Sequence, residues 1–204
     1  MKLIGMLDSP YVRRVAISAK RLGIALEHES VSVFGTFEQF QQINPVVKAP
    51  TLVLDDGEVL MDSTLILDYL EALSEPARSL MPKGIEQRLR SLRLIGLALA
   101  ASEKSVQLYY ERNLRPAEIQ YEPWVERVEG QLAAAYSALE REMEKQPLNT
   151  DGSIGQEGIT LAVAWSFTNL VVPDQVDVAQ FPRIVAFTAY AEGLEEFLST
   201  PIDG

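Results

Sequence analysis

The sequence contains no cysteine. That absence excludes disulfides, thiolate zinc sites, iron–sulfur clusters and any mechanism built on a thiol carried by the protein itself. Thiol chemistry here has to use a borrowed thiol. Histidine is almost as scarce: His28 is the only one, and one imidazole assembles neither a Ser-His-Asp triad nor a multi-histidine metal site, so no metal is expected. His28 stands between Glu27 and Glu29 and reads as a solvated histidine of a strand or loop. Positive charge is also in short supply, with 18 Lys and Arg against 29 Asp and Glu and a net charge of -11. No basic block occurs, and phosphate recognition draws on clustered Lys and Arg, so nucleic acid is not an expected partner. No apolar run reaches the roughly 20 residues that span a bilayer. The opening MKLIGMLDSP lacks the apolar centre of a secretory signal, and the expectation is a cytoplasmic protein without membrane contact.

What is present is a chain of 204 residues, 47% of them hydrophobic, enough for one large core or two small ones. Lys2 to Met6 reads as a short strand. Ser9-Pro10 then opens a helix through Leu22, with Ser at the N-cap, Pro at the first helical position and Gly23 as the stop. A second strand is predicted over Leu26 to Val33, which makes a β-α-β unit with a right-handed parallel crossover. Phe37 and Phe40 fit a short helix ending before Asn44-Pro45. Pro50 to Met61 reads as a hairpin around Asp56-Gly57, because Asp-Gly favours a turn that matches strand twist. Ser63 is expected to cap a third helix whose apolar members are Leu65, Ile66, Tyr69, Leu70 and Leu73.

The stretch from 76 to 83, with Pro76 and Pro82, loses periodicity and reads as a linker, placing a boundary near residue 80. Beyond it the strand signals vanish. Helices are predicted over Ile85 to about Arg112, Pro123 to Lys145, Thr160 to Val171 and Pro182 to Leu198. Leu89, Leu92, Ile95, Gly96 and Leu99 form the expected core stripe of the first, continued by Val106, Tyr109 and Tyr110. The fold class is thus an α/β N-terminal domain, βαβ-α-ββα, over 1–75, and an all-α domain over 84–204.

This arrangement resembles the cytosolic glutathione transferases. SPYVRRVAI from Ser9, NPVVKAPTLV from Asn44 and MDSTLILDYL from Met61 look like the family's activating loop, cis-proline loop and γ-glutamyl loop. The first is most similar to serine-type classes such as zeta and tau, in a bacterial setting. The resemblance implies a thioredoxin-like fold for the N-terminal domain, glutathione as co-substrate, a small hydrophobic electrophile as second substrate, and a homodimer.

Each position has a chemical reason. At the N-cap, the Ser9 hydroxyl can donate to a thiolate, while free N–H groups and the positive dipole end favour negative charge. A thiol of pKa about 8.5 is only slightly ionised near neutral pH, so such stabilisation turns bound glutathione into the nucleophile. Tyr11 is the rival donor and is assigned to the substrate pocket. The resemblance implies a cis bond between Ala49 and Pro50, leaving the Ala49 N–H and C=O ready to pair with glutathione's backbone as an added strand. Lys48 is the candidate for its glycyl carboxylate. Asp62 and Ser63 suit the γ-glutamyl ammonium and carboxylate, although family members often have the longer Glu at the first position. Many members also carry a capping box in the helical domain with Asp three residues after Ser or Thr. Here Thr160 is followed by Val163, so Thr160 caps alone. The electrophile pocket is assigned to Ser102, Val106, Tyr109, Tyr110 and Trp165.

The leading reading is a transferase conjugating glutathione to a small electrophile for detoxification. Glutathione-dependent peroxidase, dehalogenase or isomerase chemistry on the same site is the second. A non-catalytic interaction protein is the third, disfavoured because Ser9, Lys48, Pro50, Asp62 and Ser63 are present together.

Overall fold

The computed structural model describes residues 1–202 and divides the chain into two compact units. The first comprises Met1–Met81 together with the segment from Leu194 onward, and the second Pro82–Gly193.

The first unit is a four-stranded sheet in the order β2-β1-β3-β4, with β1 at Lys2–Ile4, β2 at Glu27–Glu29, β3 at Thr51–Val53 and β4 at Val59–Met61. β1 runs parallel to β2 and antiparallel to β3, and β3 antiparallel to β4. The connecting helices are α1 (Pro10–Leu22), α2 (Phe37–Ile43) and α3 (Ser63–Leu73). Neighbouring residues of a strand face opposite sides. Ile4 accordingly joins Val31 and Phe40 of α2 in one buried cluster, while Leu3 and its cross-strand partner Leu52 are buried on the other face. α1 begins and ends where its signals predict, closing with Gly23 N–H on the Lys20 carbonyl and Ile24 N–H on the Ala19 carbonyl.

β2 is shorter than the predicted Leu26 to Val33. Ser32 and Thr36 consume the backbone beyond Glu29: the Ser32 hydroxyl accepts from the N–H groups of Phe34 and Gly35, and the Thr36 hydroxyl from that of Ser32. Such side-chain bonds offer the chain an alternative to the ladder.

The helical unit contains α4 (Ile85–Asn113), α5 (Glu122–Lys145), α6 (Gln156–Val171) and α7 (Pro182–Glu192). α4 packs on α5 and α6, and α6 on α7. The buried face of α4 is Ser91, Leu94, Ile95, Ala98, Ala101, Ser102, Ser105 and Leu108. This corrects the expected stripe, because Leu89 and Leu92 are exposed at 68% and 53%, as is Ile85 at 80%. Small residues let α5 and α6 approach, so the true packing face is polar and small rather than leucine-rich. Tyr136 of α5 sits at zero exposure, its hydroxyl donating to the Ala164 carbonyl at 3.0 Å and lying 2.6 Å from Thr168 Oγ1, which in turn lies 2.8 Å from Ser105 Oγ. Burial pushes its phenol well above the ordinary value, against the Thr168 hydrogen bond.

Two helix ends differ from expectation. α6 starts four residues before Thr160, at Gln156, with Gly155 as an N-cap that has no side chain to signal it. Thr160 lies inside the helix, its hydroxyl donating to the Gln156 carbonyl at 2.7 Å, so it is not a cap. The helix predicted over Pro182 to Leu198 breaks at Gly193, and the short α8 (Glu195–Leu198) belongs to the first unit instead of the expected 84–204 domain. There it lies against α1: Arg13 donates from Nε to the Thr200 carbonyl at 2.8 Å with its guanidinium over the Phe197 ring, and Arg21 pairs with Glu196 at 2.9 Å. Among the described residues no helix is long and apolar enough to cross a membrane.

Candidate functional site

Strand register brings three distant motifs to one end of the sheet. Ile4 pairs with Thr51, and Thr51 with Met61, so these residues form a row across β1, β3 and β4. The loop to Ser9 leaves the row after Ile4, Lys48-Ala49-Pro50 enters it before Thr51, and Asp62-Ser63 leaves it after Met61. Gly5 starts the first loop at φ 136°, and a Cβ there would lie 2.6 Å from a Val12 methyl and 3.2 Å from Ala49 Cβ. Only glycine permits both this backbone and this approach of loop to loop. The Gly5 carbonyl accepts from His28 Nε2 at 2.7 Å, which gives the lone histidine a task in holding the loop. A carbonyl only accepts, so Nε2 carries the hydrogen.

Ser9 is the N-cap of α1, with extended backbone, and is half-buried. Its Oγ accepts from the Val12 N–H at 3.5 Å, a long bond that leaves the hydroxyl hydrogen available for a ligand. Tyr11 is half-buried in the first turn of the same helix.

The Ala49–Pro50 peptide is cis. Among the described residues nothing bonds to the N–H or C=O of Ala49. Buried Asn44, which the sequence analysis placed as a helix stop and at the start of the cis-proline motif without a role of its own, knits this loop: its amide donates to Thr51 Oγ1 at 2.9 Å, its carbonyl accepts from the Val46 N–H at 3.0 Å, and Thr51 Oγ1 donates to the Lys48 carbonyl at 2.7 Å. Lys48 itself is exposed, with no ion-pair partner among the described residues. Val47, β-branched, is held at φ 51°.

Asp62, at φ 71°, is the N-cap of α3 and accepts from the Thr64 N–H at 2.9 Å. The cap is therefore Asp62, not the expected Ser63, which becomes the first helical residue. Ser63 is buried and its hydroxyl accepts from Arg14 Nη1 at 3.2 Å, with Thr64 Oγ1 at 3.5 Å from the same nitrogen. Arg14 was not singled out from sequence. Its place shows only in the fold, where it lies on the packed face of α1 three and four residues ahead of the fully buried Ile17 and Ser18.

Val47 and Asp62 are the positive-φ residues other than glycine among the described residues, and each flanks one of these loops. Such backbone costs about 1–3 kcal/mol per residue and concentrates at ligand clamps. Together the end of the sheet offers a hydroxyl on a helix N-terminus, an unpaired peptide for strand addition, a free lysine, and a second helix N-terminus with a buried cation behind it. That set suits an anionic peptide bearing a nucleophile.

The pocket residues assigned to the helical unit do not converge in the same way. Trp165 is in the core, 4.9 Å edge-on from Tyr136 and 5.7 Å from Phe181 between ring centroids, and Ser102 is buried in α4. The pocket role of Trp165 is thereby corrected: a tryptophan on α6 is satisfied by core aromatics. Val106 and Tyr109 are half-buried and Tyr110 is exposed, the two tyrosine rings 6.3 Å apart. Tyr110 borders an open groove of about 530 Å³ with Leu114, Ile119 and Trp124.

Residues 3–78 match the family model for the glutathione S-transferase N-terminal domain. An uncharacterized GST-like protein, YibF of Escherichia coli K12, is 29% identical over 83% of this chain and 82% of its own. A glutathione transferase family member from Pseudomonas fluorescens Pf-5, solved with bound glutathione, is 29% identical, covers 98% of this chain and 97% of its own, and superposes with a TM-score of 0.84. Glutathione S-transferase U4 of Arabidopsis thaliana is 32% identical over 36% of this chain and 33% of its own.

Proposed function

We propose that the chain is a member of the glutathione S-transferase family that binds glutathione at the end of the sheet and transfers its sulfur to a small electrophile. The observation that carries this reading is the row Ile4–Thr51–Met61, from which all three glutathione motifs depart side by side. The glutathione-bound Pseudomonas fluorescens relative of the same fold supports it.

In this reading the cysteinyl backbone of glutathione pairs with the unengaged Ala49 peptide as an added strand. Lys48 takes the glycyl carboxylate, and the γ-glutamyl carboxylate sits at the α3 N-terminus on Ser63, where free N–H groups favour an anion. Asp62 faces the γ-glutamyl ammonium with the carboxylate oxygen not used in capping. The thiol then lies at the start of α1. Ser9 donates to the developing thiolate, the helix N-terminus adds its positive end, and the thiol proton passes to solvent. The thiolate attacks the electrophilic carbon, forming the carbon–sulfur bond as the leaving group departs with its electron pair. Tyr11, Val106, Tyr109 and Tyr110 are the proposed contacts of a flat apolar acceptor.

The protein is further proposed to act as a homodimer in the cytoplasm. Ile85, Leu89 and Leu92 recur at helical spacing on an exposed face of α4, and Leu65 and Leu73 do so on α3. Exposed apolar stripes of this kind mark interaction surfaces.

The test is calorimetric titration of glutathione near neutral pH into the native protein and into Ser63→Ala. One-site binding that weakens about 10-fold or more in the variant is expected, the worth of a hydrogen bond to a charged group. Absence of binding at millimolar ligand rejects the reading.

A further inference from the structure

Arg14 is an unusual residue for the interior of a small α/β unit. It is 2% exposed, it has no ion-pair partner among the described residues, and its Nε is buried without a hydrogen-bond partner. Its side-chain hydrogen bonds run to one place, the first two residues of α3: Nη1 lies 3.2 Å from Ser63 Oγ and 3.5 Å from Thr64 Oγ1. The Asp62 carboxylate attracts it but accepts its own hydrogen bond from the Thr64 N–H.

We infer that Arg14 is a positioning residue that makes the α3 N-terminus selective for a carboxylate, by fixing the Ser63 hydroxyl as a donor and supplying a buried positive charge behind it. The inference rests on the glutathione reading above and deepens it. A guanidinium has only donors. When Arg14 donates to Ser63 Oγ, the single hydroxyl hydrogen cannot point back and is directed toward whatever occupies the helix terminus. Ser63 is free for this task because Asp62, not Ser63, caps the helix. A ligand carboxylate placed there meets the hydroxyl hydrogen, the first-turn N–H groups and the field of a buried charge that forms no ion pair among the described residues.

A buried cation with unfinished bonding is costly to the unliganded fold, and it gains its complement only when an anion arrives. Burial draws the Arg14 guanidinium down to about 10, with Asp62 and Tyr11 opposing, so it stays charged at neutral pH. A purely structural arginine at this position has no reason to keep its Nε without a hydrogen-bond partner and its charge without an ion pair among the described residues.

The experiment compares glutathione with 4-aminobutyryl-cysteinyl-glycine, which differs only by lacking the γ-glutamyl carboxylate, by calorimetry on the native protein and on Arg14→Met. The native protein is expected to prefer glutathione. Arg14→Met is expected to reduce that preference on the order of 10- to 100-fold, the range of a charge-assisted bond, by weakening glutathione while the analogue binds as before. Its thermal midpoint is expected to stay level or rise, since an uncompensated buried charge has been replaced by an apolar chain. Undiminished preference in Arg14→Met, or equal loss of both ligands, overturns the inference. Should Arg14→Met fail to fold, Ser63→Ala decides: preference that survives there means Arg14 does not act through Ser63. If the native protein binds neither ligand, the glutathione reading itself fails, a result distinct from all of these.

Discussion

The two units carry their chemistry differently. In the thioredoxin-like unit the candidate residues sit in short loops that leave a single row of paired strand residues, so pairing register alone gathers them. In the helical unit the residues assigned to the second pocket lie on two long helices, where position along the axis says little about direction. One of them, Trp165, proves to be core, and another, Tyr110, borders a groove on the surface. A loop motif is located by the strand it extends, whereas a helical residue is located only by the helix rotation, which depends on packing partners far away in sequence.

The sharpest way to break this contrast is to treat Trp165 as a ligand contact. Trp165→Ala should cost about 3–5 kcal/mol in urea unfolding, as for other buried aromatics, and leave glutathione affinity of the folded fraction unchanged. A well-folded variant altered only toward the electrophile would return Trp165 to the pocket. Ser9→Ala should instead leave stability near native, because its capping bond is long, while steady-state turnover with 1-chloro-2,4-dinitrobenzene falls on the order of 100-fold, as when one donor to a developing anion is lost. Asn44→Ala lies between the two: it should cost about 1–3 kcal/mol in thermal or urea unfolding and also weaken glutathione, because loop 44–51 loses the amide that ties Val46 to Thr51.

The smallest effect concerns the C-terminal clasp on α1. Burial acts to raise the Glu196 carboxyl, but the Arg21 hydrogen bond and the charges of Arg21 and Lys20 outweigh it and hold it below its ordinary value of about 4.5. A depressed carboxyl contributes stability above that ordinary value and loses it as the pH falls through the folded value. Glu196→Gln should therefore be less stable than the native chain near neutral pH by under about 1 kcal/mol and indistinguishable from it in acid, read as thermal midpoints across pH.

Much of the fold was legible because its signals are local. Ser9-Pro10 and Gly23 bracket α1, Asp56-Gly57 turns the hairpin, and the loss of strand periodicity near residue 80 marks the change of unit. What was missed depends on contacts remote in sequence. The buried face of α4 is set by the small residues that α5 and α6 press against, so an apolar stripe at Leu89 and Leu92 pointed the wrong way. α6 begins on a glycine that offers no cap to read, and the last turn leaves the helical unit to pack on α1. At the candidate site, Ser9, Lys48, Ala49, Pro50 and the Asp62-Ser63 pair were named because their loop motifs resemble the family's, with residue type supplying a chemical reason for each. The supports of that loop chemistry, Asn44 and Arg14, were not, since an amide or a guanidinium shows its partner only once the chain is folded.

Thiolate stabilisation by Ser9 is read most directly from the ionisation of bound glutathione, followed by thiolate absorbance across pH in the native protein and in Ser9→Ala. A thiol pKa well below the free value of about 8.5 is expected in the native complex, with a return toward that value in the variant. An unshifted thiol in the native complex, or the same pKa with and without the Ser9 hydroxyl, would contradict it.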